Sequence, residues 1–300
     1  MPLLSGRCSG PVAACGRRIC RGHTTVIGVP IQMAFRDAMV TLQPPVSQAA
    51  LVGLALRGLE AASVVPVDRA HAAVELVEAA FGHRDVLGTE GAKSKVGAIR
   101  LEYDAGRAQR RGGPRGYAHT TAVTTADANG RIVSMLLSVF DDFGSAVLVP
   151  EAGYLLNDRL RGFSPEQGSG NSPRPGARPV HTLSPIIVDH GSEVFALATP
   201  GADGQVQSLV QLVDGIVTEG SSPGAVLARP RWISDDGRLL VEAGYPDEMV
   251  AGLKARGHDV VAAKWGGPLF GAASLAGFDR TAGTVYGATD PRREVWAACV

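Results

Sequence analysis

The chain has 300 residues, 45% of them hydrophobic, with 29 basic and 29 acidic side chains and a formal net charge of zero. That length holds one large domain or two ordinary ones around a substantial core. Charge balance argues against a nucleic-acid partner, the absence of an 18-residue apolar run argues against a membrane helix, and four cysteines are too few for a disulfide scaffold.

The first 22 residues carry several arginines and no acid, but no apolar h-region, so a secretory signal is not expected and the reduced cytoplasm is the default location. Cys8, Cys15 and Cys20 lie near His23, but zinc sites use tighter paired spacing. No metal and no other cofactor is expected. Residues 1–39 read as an irregular N-terminal segment. An extended stretch from Val40 ends at Pro44-Pro45, and a helix follows near Ser47, with Leu51, Leu54, Ala55 and Leu59 at helical spacing. A second helix covers Val67–Asp85, with Asp68 as N-cap, Gly82 as stop, and Val74, Val77, Ala80 and Phe81 as its buried face. His71 and Glu75, four apart on this helix, read as a partly exposed pair. The Gly- and Arg-rich run from Leu87 to Gly116 reads as a solvated linker.

Beyond it the pattern turns to strands. "TTAVTTA" and "RIVSMLLSVF" flank "DANG", in which Asn129-Gly130 predicts a hairpin with both residues at positive φ. The first of these reads as a buried strand. Further strands are expected at Ala146–Val149, Pro185–Val188 and Glu193–Ala198. A helix then runs over Gln205–Gly220, another over Asp247–Asp259, and a strand over Asp259–Ala263. Asp141 and Asp142 are adjacent, so on a strand they point to opposite faces and share no site.

Thr120 and Thr121 open the first of the hairpin strands. A mid-chain hydroxyl is a weak nucleophile and needs a base. Cutting the peptide bond before Thr120 supplies one: the new α-amine, with a pKa near 7.7–8.0, sits on the same residue as the hydroxyl. The flexible run before Thr120 and the stiff strand after it suit such a cut. On local pattern alone, bare β propensity is the better explanation, since strand-entry threonines after loops are common.

Several stretches together resemble the γ-glutamyltranspeptidase family of N-terminal-nucleophile hydrolases. "TTAVTTADANGRIVS" aligns with the family's nucleophile run, placing Thr120 at the nucleophile. "GYLLNDRLRGFS", "RPVHTLSPIIV", "ATPGADGQVQSLVQ" and "YGATDPRR" are similar to family segments in the same order, as are "PPVS" and "HAAVELVEAAFGHRD" upstream. The resemblance covers about residues 40–300. It implies an α+β fold, a four-layer αββα sandwich. It further implies self-cleavage between His119 and Thr120 into two chains that stay together. Residues 40–119 then correspond to the end of a large subunit and 120–300 to the small catalytic subunit. The resemblance implies an oxyanion hole at Gly201 and Ala202, a substrate pocket from Ser138, Phe140, Arg159, His181 and Thr182, and a supporting Asn157. Read from the residues alone, Asn157 serves a turn equally well.

The departures from the family concern the substrate. Ala122 stands where the family has His, and Ser138 where it has Thr. The family's amine-holding Gln and Asp align with Arg159 and Gly162, and its carboxylate-holding serine pair with His181 and Thr182. Without a carboxylate at position 162 a substrate ammonium loses its partner, and Arg159 favours an anion instead. The expected substrate is therefore a specialised, anionic small molecule other than glutathione. Ala202 in place of Gly keeps an N–H hole provided that the position needs no positive φ. The family's opening strands have no counterpart here, so an incomplete sandwich with open sheet edges is expected. Three readings follow: acyl transfer or hydrolysis through Thr120; C–C bond hydrolysis in antibiotic biosynthesis; or a non-catalytic fragment, or one that works with a separately encoded N-terminal half.

Overall fold

A computed structural model describes residues 25–109, 114, 120–150, 153–294 and 296–299. The cysteines of the N-terminal cluster and His119 lie outside the described residues. In chain order the elements begin with β1 (Ile31–Phe35), β2 (Ala38–Leu42), α1 (Ala49–Leu59), α2 (Pro66–Phe81) and α3 (Ala92–Ala98). Next come β3 (Thr121–Ala126), β4 (Ile132–Leu137), β5 (Leu148–Val149), β6 (Tyr154–Leu155), β7 (Ile186–His190) and β8 (Glu193–Ala198). The last are α4 (Gly204–Val217), α5 (Pro223–Leu227), β9 (Trp232–Asp235), β10 (Arg238–Glu242), α6 (Asp247–Ala255), β11 (Val260–Ala263), β12 (Ser274–Asp279) and β13 (Thr284–Thr289).

The main sheet has the order β1-β2-β7-β8-β12-β13, every neighbouring pair antiparallel. It starts at Ile31, inside the segment expected to be irregular up to residue 39. Phe35, Ala38, Val40 and Leu42 are buried, and the strands that carry them pack against α1. This burial fixes the hairpin although each strand is only five residues long.

Helices α1, α2 and α4 pack together, and α1 and α4 lie on one face of the sheet. In α1 the expected Leu51, Leu54, Ala55 and Leu59 are buried, and Ser47 Oγ accepts the Ala49 N–H at 3.0 Å. In α2 the start differs from expectation. Val65 is the cap, Pro66 takes the first turn, and Asp68 instead pairs with Arg256. Val74, Val77 and Ala80 are buried and Phe81 is half-buried against the same core. The expected partly exposed pair His71 and Glu75 is fully buried. Buried Arg69 joins α2 to α4 through both carboxylate oxygens of Asp214, its Nε donating to Oδ2 at 2.7 Å. The expected linker after Leu87 is in part helical, because α3 buries Ala92 and Val96.

Helix α4 also seals an edge strand. The Gln207 amide donates to Ser234 O at 2.9 Å and accepts from Ser234 N at 2.7 Å. One turn on, Gln211 does the same for Trp232, at 2.9 and 3.1 Å. Two side chains thus stand in for a neighbouring strand along β9, the edge of the small sheet β11-β10-β9.

The opposite face of the main sheet carries the β3–β4 ribbon, which lies over β8 and β12. Beneath it β8 is buried on both faces from Phe195 to Ala198. The ribbon itself is not the buried strand pair expected. Ala122, Thr124 and Ala126 face inward, whereas Thr121, Val123 and Thr125 are exposed. On β4 the outward residues are Val133, Met135 and Leu137, the last 69% exposed. Among the described residues neither ribbon strand has a further neighbour, and no helix covers the outer face. In the hairpin turn only Gly130 has positive φ, at 75°. Asp127 Oδ1 accepts the N–H groups of Asn129 and Arg131, both at 2.9 Å, and so closes the turn without a second left-handed residue.

Candidate active site

Thr120 is half-buried and directly precedes β3. Thr121 pairs with Leu137 in the ribbon, so Thr120 and Ser138 stand at its open mouth. The orientation of the ribbon follows from two contacts. At the hairpin tip, a Cβ on Gly130 would lie 3.3 Å from the Phe278 ring, and Phe278 pairs with Val194 near the start of β8. Farther along, Ser134 Oγ donates to Leu197 O at 2.8 Å, near the end of β8. The mouth therefore lies toward the carboxyl end of β8, where the chain turns through Thr199–Ala202 into α4.

That turn is tight. Gly201 has φ 123° and Ala202 φ 49°. Position 202 does need positive φ, contrary to expectation, but alanine takes up that conformation and keeps its N–H in the turn. A left-handed alanine costs on the order of 1 kcal/mol. Gly204 N donates to Gly201 O at 2.7 Å and Gln205 N to Ala202 O at 3.0 Å, which anchor the turn to the first residues of α4. The N–H groups of Gly201 and Ala202 have no acceptor among the described residues. Gly271 underlies the turn. A Cβ there would lie 2.5 Å from both Pro200 O and Thr199 Oγ1, so only glycine fits.

Beyond Ser138 the chain bends sharply. Ser138 Oγ accepts the Phe140 N–H at 3.0 Å, and Phe140 has φ 84°. The Arg159 guanidinium lies 4.9 Å from the centroid of the Phe140 ring, within cation–π range. Asn157 is exposed, and its Oδ1 accepts the Arg159 N–H at 3.0 Å, which is the turn reading of that residue. Asp158 N donates to Val139 O at 3.1 Å and holds the two segments together. At Gly162 a Cβ would lie 3.1 Å from Val180 O, so the backbone leaves little room for a carboxylate side chain there.

His181 is bonded to the loop before α1: its N donates to Val46 O at 3.0 Å and its O accepts from Gln48 N at 2.9 Å. Its Nδ1 is buried and has no partner among the described residues. Burial, and then the charges of Arg159 and Arg178, push the imidazole pKa down to about 4. It is neutral at neutral pH, beside two guanidinium groups. Thr182 is buried, and its carbonyl accepts from Ser184 Oγ at 2.9 Å.

The structure thus joins Ser138, Phe140, Arg159 and His181 into one connected patch and sets Gly201 and Ala202 at the same end of the layers as Thr120. Asn157 lies at the surface. Gln48 and Asp203 escaped the sequence reading: Gln48 Nε2 donates to Asp203 Oδ1 at 3.1 Å, linking the α1 and α4 starts. An acid directly after the Gly-Ala turn was the available signal. Asp141, considered as one of an acid pair, is engaged by Arg161. The "YGATDPRR" segment is structural. Asp290 accepts from Arg231 Nη2 at 2.5 Å and from Ala273 N at 3.0 Å, while Arg292 Nε donates to Glu242 Oε1 at 2.9 Å.

Helices on an antiparallel sheet, a second β layer that opens at a threonine, and a turn with unengaged N–H groups at the same end define an N-terminal-nucleophile hydrolase fold. The chain belongs to the gamma-glutamyltranspeptidase family, whose model matches residues 20–300. It is 28% identical over 295 residues to the glutathione hydrolase-like YwrD proenzyme of Bacillus subtilis (strain 168), covering 91% of this chain and 56% of that protein. It is 28% identical over 329 residues to the oxamate amidohydrolase proenzyme of Klebsiella pneumoniae, covering 96% of this chain and 61% of the relative. The cephalosporin acylase of Bacillus halodurans superposes with a TM-score of 0.72 at 24% identity, over 88% of this chain and 51% of that one, a likeness of fold. The chain therefore spans about half to three fifths of the length of these proteins.

Proposed function

We propose that this chain carries the catalytic centre of a γ-glutamyltransferase-like N-terminal-nucleophile enzyme that transfers an acyl group to water or an amine through Thr120. The supporting observation is the position of Thr120 at the ribbon mouth, on the same end as the Gly201–Ala202 turn. Cleavage of the 119–120 peptide bond frees the Thr120 α-amine. That amine takes the hydroxyl proton as Oγ attacks the substrate carbonyl. The Gly201 and Ala202 N–H groups receive the oxyanion, a contribution that elsewhere is worth about 3–4 kcal/mol per donor. The proton passes to the leaving group, and water or an amine then attacks the acyl-enzyme. Ser138, opposite Thr120, supports the nucleophile.

The substrate in this reading is a small anionic amide or ester. Arg159, steadied on Phe140, supplies the charge, and neutral His181 and Thr182 supply hydrogen bonds. Oxamate, named for one relative, is an amide of this kind. Glutathione is disfavoured because no carboxylate stands at Gly162 to hold its ammonium. The open ribbon calls for a covering polypeptide, separately encoded or a further part of a longer precursor, because β1, β2, α1 and α2 already pack in the main sheet and its helical layer.

Intact-mass and N-terminal sequencing of the purified protein test this. The expected result is a small chain beginning Thr-Thr-Ala-Val, with Thr120→Ala remaining uncut. A wild-type chain that stays whole, and that a glutamine-like electrophile fails to modify, establishes the inert alternative.

A further inference from the structure

We propose that His71, Glu75 and His258 form a binding site for a divalent metal ion of the zinc class. The site is remote in sequence from Thr120 and shares no residue with the catalytic patch. Two of its ligands come from one helix: His71 and Glu75 are four residues apart on α2 and so face the same way. The third comes from the turn after α6. One ligand atom from each residue lies within 4.8 Å of the other two.

The hydrogen bonding prepares these atoms. His71 Nε2 stands 2.7 Å from the carbonyl oxygen of Asp104, to which it donates. This fixes the tautomer, leaving the Nδ1 lone pair directed at His258 Nε2, 2.7 Å away. An imidazole that gives its far N–H to a backbone carbonyl is the usual support of a metal-bound histidine. Gln109 N donates to both Glu75 oxygens, at 3.2 and 3.1 Å, and orients the carboxylate. Two imidazoles and one carboxylate form a donor set that zinc uses, with a fourth position left for water. With metal–nitrogen bonds of about 2.0–2.1 Å, tetrahedral geometry sets the two nitrogens about 3.3 Å apart. The rings must therefore separate by about 0.6 Å, a movement open to His258 because it is only half-buried, whereas His71 is fully buried. The neighbouring positive charge of Arg256 is paired with Asp68.

The ion would have a structural consequence. The same cluster holds the segment Asp104–Gln109, through Asp104 O and Gln109 N, and Ala108 N donates to Arg256 O at 2.7 Å. A metal here would clamp α2, the turn after α6 and the chain segment leading toward Thr120 into one unit.

The test uses the full chain with Cys8, Cys15 and Cys20 replaced by serine, stripped with chelator and titrated with Co2+. The expected result is saturable one-to-one uptake, with the visible d–d absorption of a four- or five-coordinate nitrogen and oxygen site and no sulfur charge-transfer band. Zn2+ should displace the Co2+. His258→Gln and Glu75→Gln, each checked for wild-type circular dichroism, should weaken uptake by at least about a hundredfold. Absence of saturable uptake, or uptake that both variants leave unchanged, overturns the proposal.

Discussion

The two faces of the main sheet are built to different standards. On the helical face, α1 and α4 bury nearly every side chain that they direct at the strands, and even the charged Arg69 is enclosed with its partner. On the ribbon face, β3 and β4 cover β8 yet direct Val123, Val133, Met135 and Leu137 to solvent. One face is a finished core, and the other, among the described residues, is a layer of two strands with two free edges. The difference teaches where stability and where assembly reside. Helix packing holds this chain together, whereas the threonine-bearing layer leaves apolar side chains exposed. An apolar, unpaired ribbon of this kind is a surface for association.

Substitutions can break or sharpen that contrast. The largest effect is expected on the finished side, at Asp290, which is 1% exposed between Arg231 and Arg292. Asp290→Ala leaves two buried guanidinium groups short of a partner and should cost about 3–5 kcal/mol in chemical denaturation. A loss below about 1 kcal/mol would show that this network is dispensable.

The next effect concerns pH. The His181 pKa is about 4 in the fold against the ordinary 6.5, so folding favours the neutral ring. Its contribution is fully present above pH 6.5 and is lost as pH falls from there through about 4. The loss is on the order of 3 kcal/mol. His181→Gln should flatten the acid limb of a stability–pH curve. His258 shares that range, and the difference between wild type and variant isolates His181.

Smaller still is Ala202→Gly. Relief of the left-handed alanine should raise stability by about 1 kcal/mol, partly offset by the freedom that glycine gains when unfolded. A thermal melt reads the sign, and a clear loss would mean that the Ala202 methyl packs more than the backbone strains.

The smallest effect is expected at the open face. Leu137→Ser should change the stability of the isolated chain by no more than about 0.5 kcal/mol. The same change should weaken binding of any covering polypeptide, as analytical ultracentrifugation would show. A loss above 2 kcal/mol in the isolated chain would mean that the face is already covered.

How much of this was legible in the sequence depended on whether the cause was local. The α1 stripe of Leu51, Leu54, Ala55 and Leu59 and the span of β8 could be read directly, because burial repeats at the period of the element. The family motifs singled out Thr120 and the Gly201–Ala202 turn, which the fold sets at one end of its layers. The final strands are not legible locally because β12 owes its burial to pairing with β8, some 80 residues earlier in the chain, and β13 pairs in turn on β12. Asp68 was misread as a cap because its true partner, Arg256, is distant. The burial of His71 and Glu75, expected to be partly exposed, is not legible locally because His258 and the Asp104–Gln109 segment, which contact them, come from elsewhere in the chain. Gly201 announces the turn, but the left-handed backbone extends to position 202, where alanine gives no sign of it.

The paired amides of Gln207 and Gln211 on β9 have a bearing on reactivity. Four bonds to a fixed strand stop α4 from rolling about its own axis. The direction in which the N–H groups at its leading end aim is then set one to two turns along the helix, by side chains bonded to β9. Catalytic alignment here would be a property of a seam at the far side of the helix.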